Sequence, residues 1–225
     1  MSVSYWMGPT EDEAMQDEHA FIWRAILKTV DINLDGKRVL DVGCNRGGFL
    51  RLLSDHRGIA EGFGYDPADG AIDDARRLSD GRPLRFTVSS GVPAGWSGFD
   101  VAFSHEVLYL IEDVAGHAQD VFDALAPGGV YYAVVGVHAA SPMMVKWHKK
   151  NAQALNLPPL YDLDDIVGAF VDAGFDASAA RLAIDFMPAA DQGHHGQGAL
   201  LDWLDYYNDH KPMLRFRRPA ASNSQ

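Results

Sequence analysis

The residues able to do chemistry gather where apolar runs end. In Val39-Leu40-Asp41-Val42-Gly43-Cys44-Asn45-Arg46-Gly47-Gly48-Phe49 a strand-like stretch gives way to small residues and then to a helical pattern. Gly43 and Gly47 remove side chains where a ligand must approach the main chain. Amides at the helix start favour a negative group, such as a ligand's carboxylate. Asp41 sets a carboxylate at the strand's carboxyl end, where it either organises the loop or faces an ammonium group. Asp66 follows 25 positions later. A carboxylate there can accept both hydroxyls of a ribose, and it is also a good helix N-cap. The two roles are compatible, because each oxygen carries more than one lone pair. Pro67 adds an apolar face against which an adenine can lie.

These residues need elements to hold them. Short apolar runs at Arg38–Val42, Ile59–Tyr65, Leu84–Val88, Phe99–Ser104 and Val130–Val137 read as five strands. Helical patterns separate or precede them at 11–30, 49–55, 66–78 and 113–125, with Asp66 as N-cap and Pro67 at the first helical position of the third. Strands alternating with helices form a parallel sheet covered on both faces, a doubly wound α/β architecture. Ligands of such sheets bind at the carboxyl ends of the strands. Beyond 137 the pattern predicts helices over 143–154, 162–173 and 198–208, a strand within 175–186 and a last strand over 213–218.

Four runs in this order resemble the class I S-adenosylmethionine (SAM)-dependent methyltransferases, in particular the small-molecule enzymes of the type 11 and 12 kind. They are Asp41 to Gly47, Gly64-Tyr65-Asp66-Pro67, Phe99 to Leu108, and Leu125-Ala126-Pro127-Gly128-Gly129-Val130. The resemblance implies a Rossmann-like seven-stranded sheet in the order 3-2-1-4-5-7-6, mostly parallel, with the last strand antiparallel. It implies SAM as cofactor, with S-adenosylhomocysteine (SAH) as product. The cofactor-binding residues would be Asp41, Gly43, Cys44, Asn45, Gly47, Asp66, Pro67, Ser89, Ser104 and His105. Asn45 stands where the family usually has a glycine, and asparagine tolerates the same left-handed bend. Val88-Ser89-Ser90 stands where an acid is common after strand three, which leaves the adenine contacts open. An NAD-dependent oxidoreductase fits less well, because the dinucleotide fingerprint places glycines where Asp41 stands.

On the substrate side His105 and His138 are candidate bases, each with a packed or solvated role as the alternative. Tyr5, Trp6, Trp147, Tyr161 and Tyr206 are candidates for an aromatic pocket, with ordinary core packing as the alternative. His194-His195 lacks further ligands at metal-binding spacing, so no metal is expected. The formal net charge of −12 opposes phosphates, and Lys211, Arg215, Arg217 and Arg218 read as the solvated side of a final strand. The expected partners are therefore a small-molecule substrate and at most a second copy of the chain, as monomer or homodimer, with nucleic acid and membrane disfavoured. One cysteine in 225 residues allows no internal disulfide, and a cytoplasmic location is expected. One domain is expected over 1–225, with an N-terminal helical cap (1–36), a SAM-binding core (37–137) and substrate-side elements with the last two strands (138–225). The expected activity is methyl transfer to a small molecule. A non-catalytic SAM- or SAH-binding protein is the second reading and an RNA methyltransferase the third.

Overall fold

A computed structural model describes residues 4–184, 186 and 199–221 of the chain. His194 and His195 lie outside the described residues. The elements in order are α1 (Pro9–Thr29), β1 (Arg38–Val42), α2 (Gly48–Arg57), β2 (Glu61–Asp66), α3 (Asp69–Leu78), β3 (Leu84–Val88), β4 (Phe99–His105), α4 (Val114–Ala124), β5 (Leu125–Val134), α5 (Pro142–Leu155), α6 (Leu163–Asp172), β6 (Asp176–Arg181), α7 (Leu200–Asp209) and β7 (Pro212–Arg217).

The strands form one sheet in the order β3-β2-β1-β4-β5-β7-β6, as the resemblance implies. β1 to β5 pair in parallel, and β7 runs antiparallel to both β5 and β6. Side chains alternate across the pleat, so neighbours in sequence feed opposite cores. Val39 and Tyr132 join Phe49, Leu50 and Ile72 beneath α1, α2 and α3. Leu40 and Tyr131 join Val121, Ile166 and Phe170 beneath α4 and α6. A third, smaller cluster of Tyr109, Met144, Trp203 and Tyr206 ties α5 to α7 above the sheet's edge. No helix among the described residues is long and apolar enough to cross a membrane.

Two expected boundaries shift for local reasons. α3 begins at Asp69 with Ala68 as N-cap, not at Asp66. The Asp66 carboxylate instead accepts from the Ala68 amide at 2.9 Å and closes the turn that precedes the helix. β5 stops at Val134, not Val137: the next amide turns to Pro212, and those of Gly136 and Val137 turn to the Glu106 carboxylate.

Candidate functional site

The carboxyl ends of β1, β2 and β4 open into a cavity of about 840 Å³. That falls within the range of ligand-binding pockets. The segment before α1 closes it with Trp6, α5 with Trp147, and α7 with Trp203 and Tyr206. Asp12, fully buried in the first turn of α1, accepts from the amides of Trp6 at 3.1 Å and Met7 at 3.3 Å. That carboxylate pins the entering chain over the cavity. Arg46, also buried, pairs with Asp74 of α3 at 3.1 Å and fixes the bend below.

The bend itself follows the sequence closely. Gly43 has φ 67 and Asn45 φ 46, so asparagine does keep the left-handed turn. A Cβ on Gly43 would come within 2.6 Å of the Val107 side chain. Gly47, at φ 70, lies just off the cavity, and a Cβ there would meet the Phe86 ring at 2.6 Å. Its glycine serves the packing of α2 on β3. Asp66 accepts from the Asn45 amide at 3.0 Å as well as from Ala68, one bond per oxygen. It therefore locks the loop between β1 and α2 and still has lone pairs free toward the cavity.

Asp41 differs. Only 5% exposed, it has no hydrogen-bond or ion-pair partner among the described residues. Burial pushes its carboxyl well above the usual range, and the charge of Asp66 adds to this. An unpaired carboxylate at a cavity wall calls for a cation. Burial likewise raises the Asp66 carboxyl and the thiol of Cys44, whose loop the two carboxylates flank.

The far side of the cavity is built around Glu106, which follows β4 with φ 55. Its carboxylate accepts from Gly136 N at 3.0 Å, Val137 N at 3.3 Å and the Tyr206 hydroxyl at 3.2 Å, and pairs with Lys211 at 2.5 Å. Lys211 is 5% exposed, which corrects its place on a solvated strand face. Arg215 pairs with Asp31, and Arg218 donates to the carbonyls of Phe122 and Leu125. His105 lines the cavity beside His19, with ring centroids 4.6 Å apart. Burial, then the charge of Lys211, hold its pKa well below the ordinary value.

Of the expected residues, Asp41, Gly43, Cys44, Asn45, Asp66, Pro67, Ser104, His105, Trp6, Trp147 and Tyr206 meet at this one cavity. Others stand elsewhere. Ser89 donates to the Gly91 carbonyl at 2.6 Å, and Ser90 lines the cavity instead. Tyr5 turns away to Asp74 at 3.1 Å. The Tyr161 hydroxyl donates to the carbonyls of Ile111 and Glu112. His138 is buried off the cavity, its Nε2 2.9 Å from the His210 carbonyl. The structure adds Asp12, Glu106 and Lys211, of which Glu106 shows in the sequence only as an acid after strand four.

A family model described as a methyltransferase domain matches residues 12–179. The chain belongs to this family. It is a SAM-dependent methyltransferase with the class I fold. It is 28% identical over 164 residues to the ribosomal RNA large subunit methyltransferase E of Anaeromyxobacter sp. (strain Fw109-5), across 63% of this chain and 57% of that protein. It is 34% identical over 116 residues to the tRNA U34 carboxymethyltransferase of Ectopseudomonas mendocina (strain ymp), across 48% of this chain and 34% of that protein. The chain thus spans less than two thirds of either relative. Among solved structures, a complex of the Haloferax volcanii Trm112 methyltransferase activator with a methyltransferase gives a TM-score of 0.80 at 23% identity, covering 95% of this chain and 96% of that one. Other structures with this fold carry SAM or SAH.

These findings overturn the expected partners. Relatives named for rRNA and tRNA modification, and a fold neighbour seated on an activator protein, contradict a methyltransferase that disfavours nucleic acid and pairs only with itself. Net charge averages over faces and does not by itself exclude such partners. Lys146, Lys149 and Lys150 of α5 are exposed and have no acidic partner among the described residues.

The cofactor of this family is SAM, and the residues fit it. The unpaired Asp41 carboxylate suits its positive charge. The loop around Gly43 permits close approach, and Asp66 is anchored with lone pairs to spare.

Proposed function

We propose that the chain methylates RNA, taking the acceptor nucleotide into the aromatic chamber while the polynucleotide runs along α5. The supporting observation is α5 itself. Trp147 lines the cavity, and Lys146, Lys149 and Lys150, one helical turn apart, stand exposed beside it. Elsewhere the cations are largely paired, as in Lys37–Asp100, Arg38–Glu61 and Arg82–Asp55. Three unpaired lysines on the helix whose Trp147 lines the aromatic chamber suit phosphates outside and a stacked base inside. The relatives named for rRNA and tRNA modification support the same reading. By its fold neighbour, a Trm112-type activator is the protein partner to expect.

On the cofactor side, Asp66 holds the ribose hydroxyls, Asp41 faces the ammonium group, and Pro67 with Ser90 frames the adenine. Gly43 and the backbone of Cys44, Asn45, Ser104 and His105 hold the methionine portion. Gly47 shapes the loop without touching the ligand. When bound, SAM supplies an electrophilic methyl group on a sulfonium. The chain's part is to align the acceptor in line with that methyl group and to exclude water. Held neutral by burial, His105 is a feeble base, so positioning dominates over proton removal. The single domain acts as a unit, with α1 as cap and the chain beyond 137 as the acceptor side.

The test is transfer of tritiated methyl from SAM to unfractionated tRNA and rRNA. Label should enter RNA. Contacts from three lysines should make apparent affinity fall about 20- to 40-fold between 50 and 200 mM salt. The triple variant K146E/K149E/K150E should lose that dependence. No label in RNA, with label entering a panel of small metabolites assayed in parallel, would refute the proposal.

A further inference from the structure

The chain before α1 turns back on itself. Gly8 makes the turn at φ 149 and ψ 159, a backbone conformation left essentially to glycine. Residues 4–7 then lie across the elements that carry the cofactor loop. The Ser4 carbonyl accepts from the Ala71 amide at 3.1 Å, and the Tyr5 hydroxyl donates to Asp74 at 3.1 Å, both on α3. The amides of Trp6 and Met7 donate to buried Asp12 of α1. Arg46, in the bend after β1, pairs with Asp74 at 3.1 Å and donates to the Pro9 carbonyl at 3.5 Å. These anchors belong to α1, the bend and α3. None of them lies on α5 or α7, which bound the acceptor side. Asp12 is also near enough to Asp66 for its charge to raise that carboxyl. Trp6, which lines the cavity, therefore stands on its cofactor half.

The seat of this segment is made for close approach. A Cβ on Gly70, in the first turn of α3, would come within 2.7 Å of the Ser4 carbonyl oxygen and of the Tyr5 ring. A glycine inside a helix costs stability relative to alanine, and here it admits the segment. What holds the segment down is polar. Ser4 and Met7 are exposed, and among the described residues none of Tyr5, Trp6 and Met7 joins an apolar cluster. Segments with few buried apolar contacts open at far lower free energy than the core. We infer that residues 4–8 form a strap over the cofactor, with Trp6 as its cover, which swings on Gly8 and sets the rate at which SAM enters and SAH leaves. This rests on the cofactor side proposed above and not on the nature of the acceptor.

The test loads the protein with tritiated SAH and follows its release into excess unlabelled SAH, with thermal melting alongside. Gly70→Ala favours the helix and unseats the strap. The two effects offset in the melting temperature, which should stay close to that of the wild type. Release of SAH should be about tenfold faster, as the loss of two hydrogen bonds allows. Tyr5→Phe removes the bond to Asp74 alone and should speed release about two- to fivefold. Gly70→Ala decides; if it melts well below the wild type, Tyr5→Phe decides in its place. Tight SAH binding with release unchanged in the deciding variant overturns the strap and leaves the cofactor side standing. No SAH binding by the wild type would sink the cofactor side and the strap together.

Discussion

Asp41→Asn should move stability and binding in opposite directions. The wild-type carboxylate is buried, has no partner among the described residues, and feels the charge of Asp66. Asparagine keeps its shape and sheds the charge. In the protein without cofactor, relief of that desolvation should raise stability by about 1–3 kcal/mol. Losing a charge-assisted contact to the cofactor's ammonium should weaken SAM by about 1.5–3 kcal/mol, or roughly 10- to 150-fold. The pH dependence fixes the sign. Burial raises the folded carboxyl above its ordinary value of 3.8, so the folded state keeps a proton that the unfolded chain has released. Stability from this group is greatest below that value and declines as pH rises through the folded pKa. The variant should lack this decline. Urea unfolding at several pH values, with m held constant, reads the first effect, and calorimetric titration with SAM and SAH reads the second. A variant less stable than wild type at pH 7 that binds SAM equally well would refute the reasoning.

Asp66→Ala should weaken SAM about 100-fold or more by calorimetry, since it removes the proposed ribose acceptor and frees the amides of Asn45 and Ala68. His117 is buried against Tyr131 and Phe170, and burial lowers its pKa to about 4. The unfolded chain therefore gains a proton between pH 6.5 and 4 that the folded chain refuses. Stability is full above 6.5 and should fall by about 2 kcal/mol from pH 7 to pH 5. His117→Phe should flatten that part of a melting-temperature profile. Gly47→Ala combines a left-handed φ with a clash on the Phe86 ring. It should cost about 2–5 kcal/mol in urea unfolding.

The sheet was legible because its central strands are buried on both faces, so Val101-Ala102-Phe103 and Tyr131-Tyr132-Ala133 read as unbroken apolar runs. The cofactor loop was legible because its constraints are local: glycines at positive φ, an acid at the end of each of the first two strands. Where local rules met long-range contacts they failed. Asp66 has the look of an N-cap, yet the helix waits until Asp69. Tyr161 has the look of a pocket aromatic, yet its hydroxyl is spent on two carbonyls. Lys211 lies in a basic stretch, and only the fold brings it to Glu106, 105 positions earlier. Asp12 reads as an ordinary first-turn acid until the chain before it folds back onto its oxygens.

Cys44 is the one thiol in the sequence, and it lies in the wall of the cofactor loop, 6% exposed. A thiol-selective reagent added to the intact protein therefore has a single address. Its rate of attack times how often that loop opens, and the slowing of that rate by a ligand measures occupancy without any need to know the substrate.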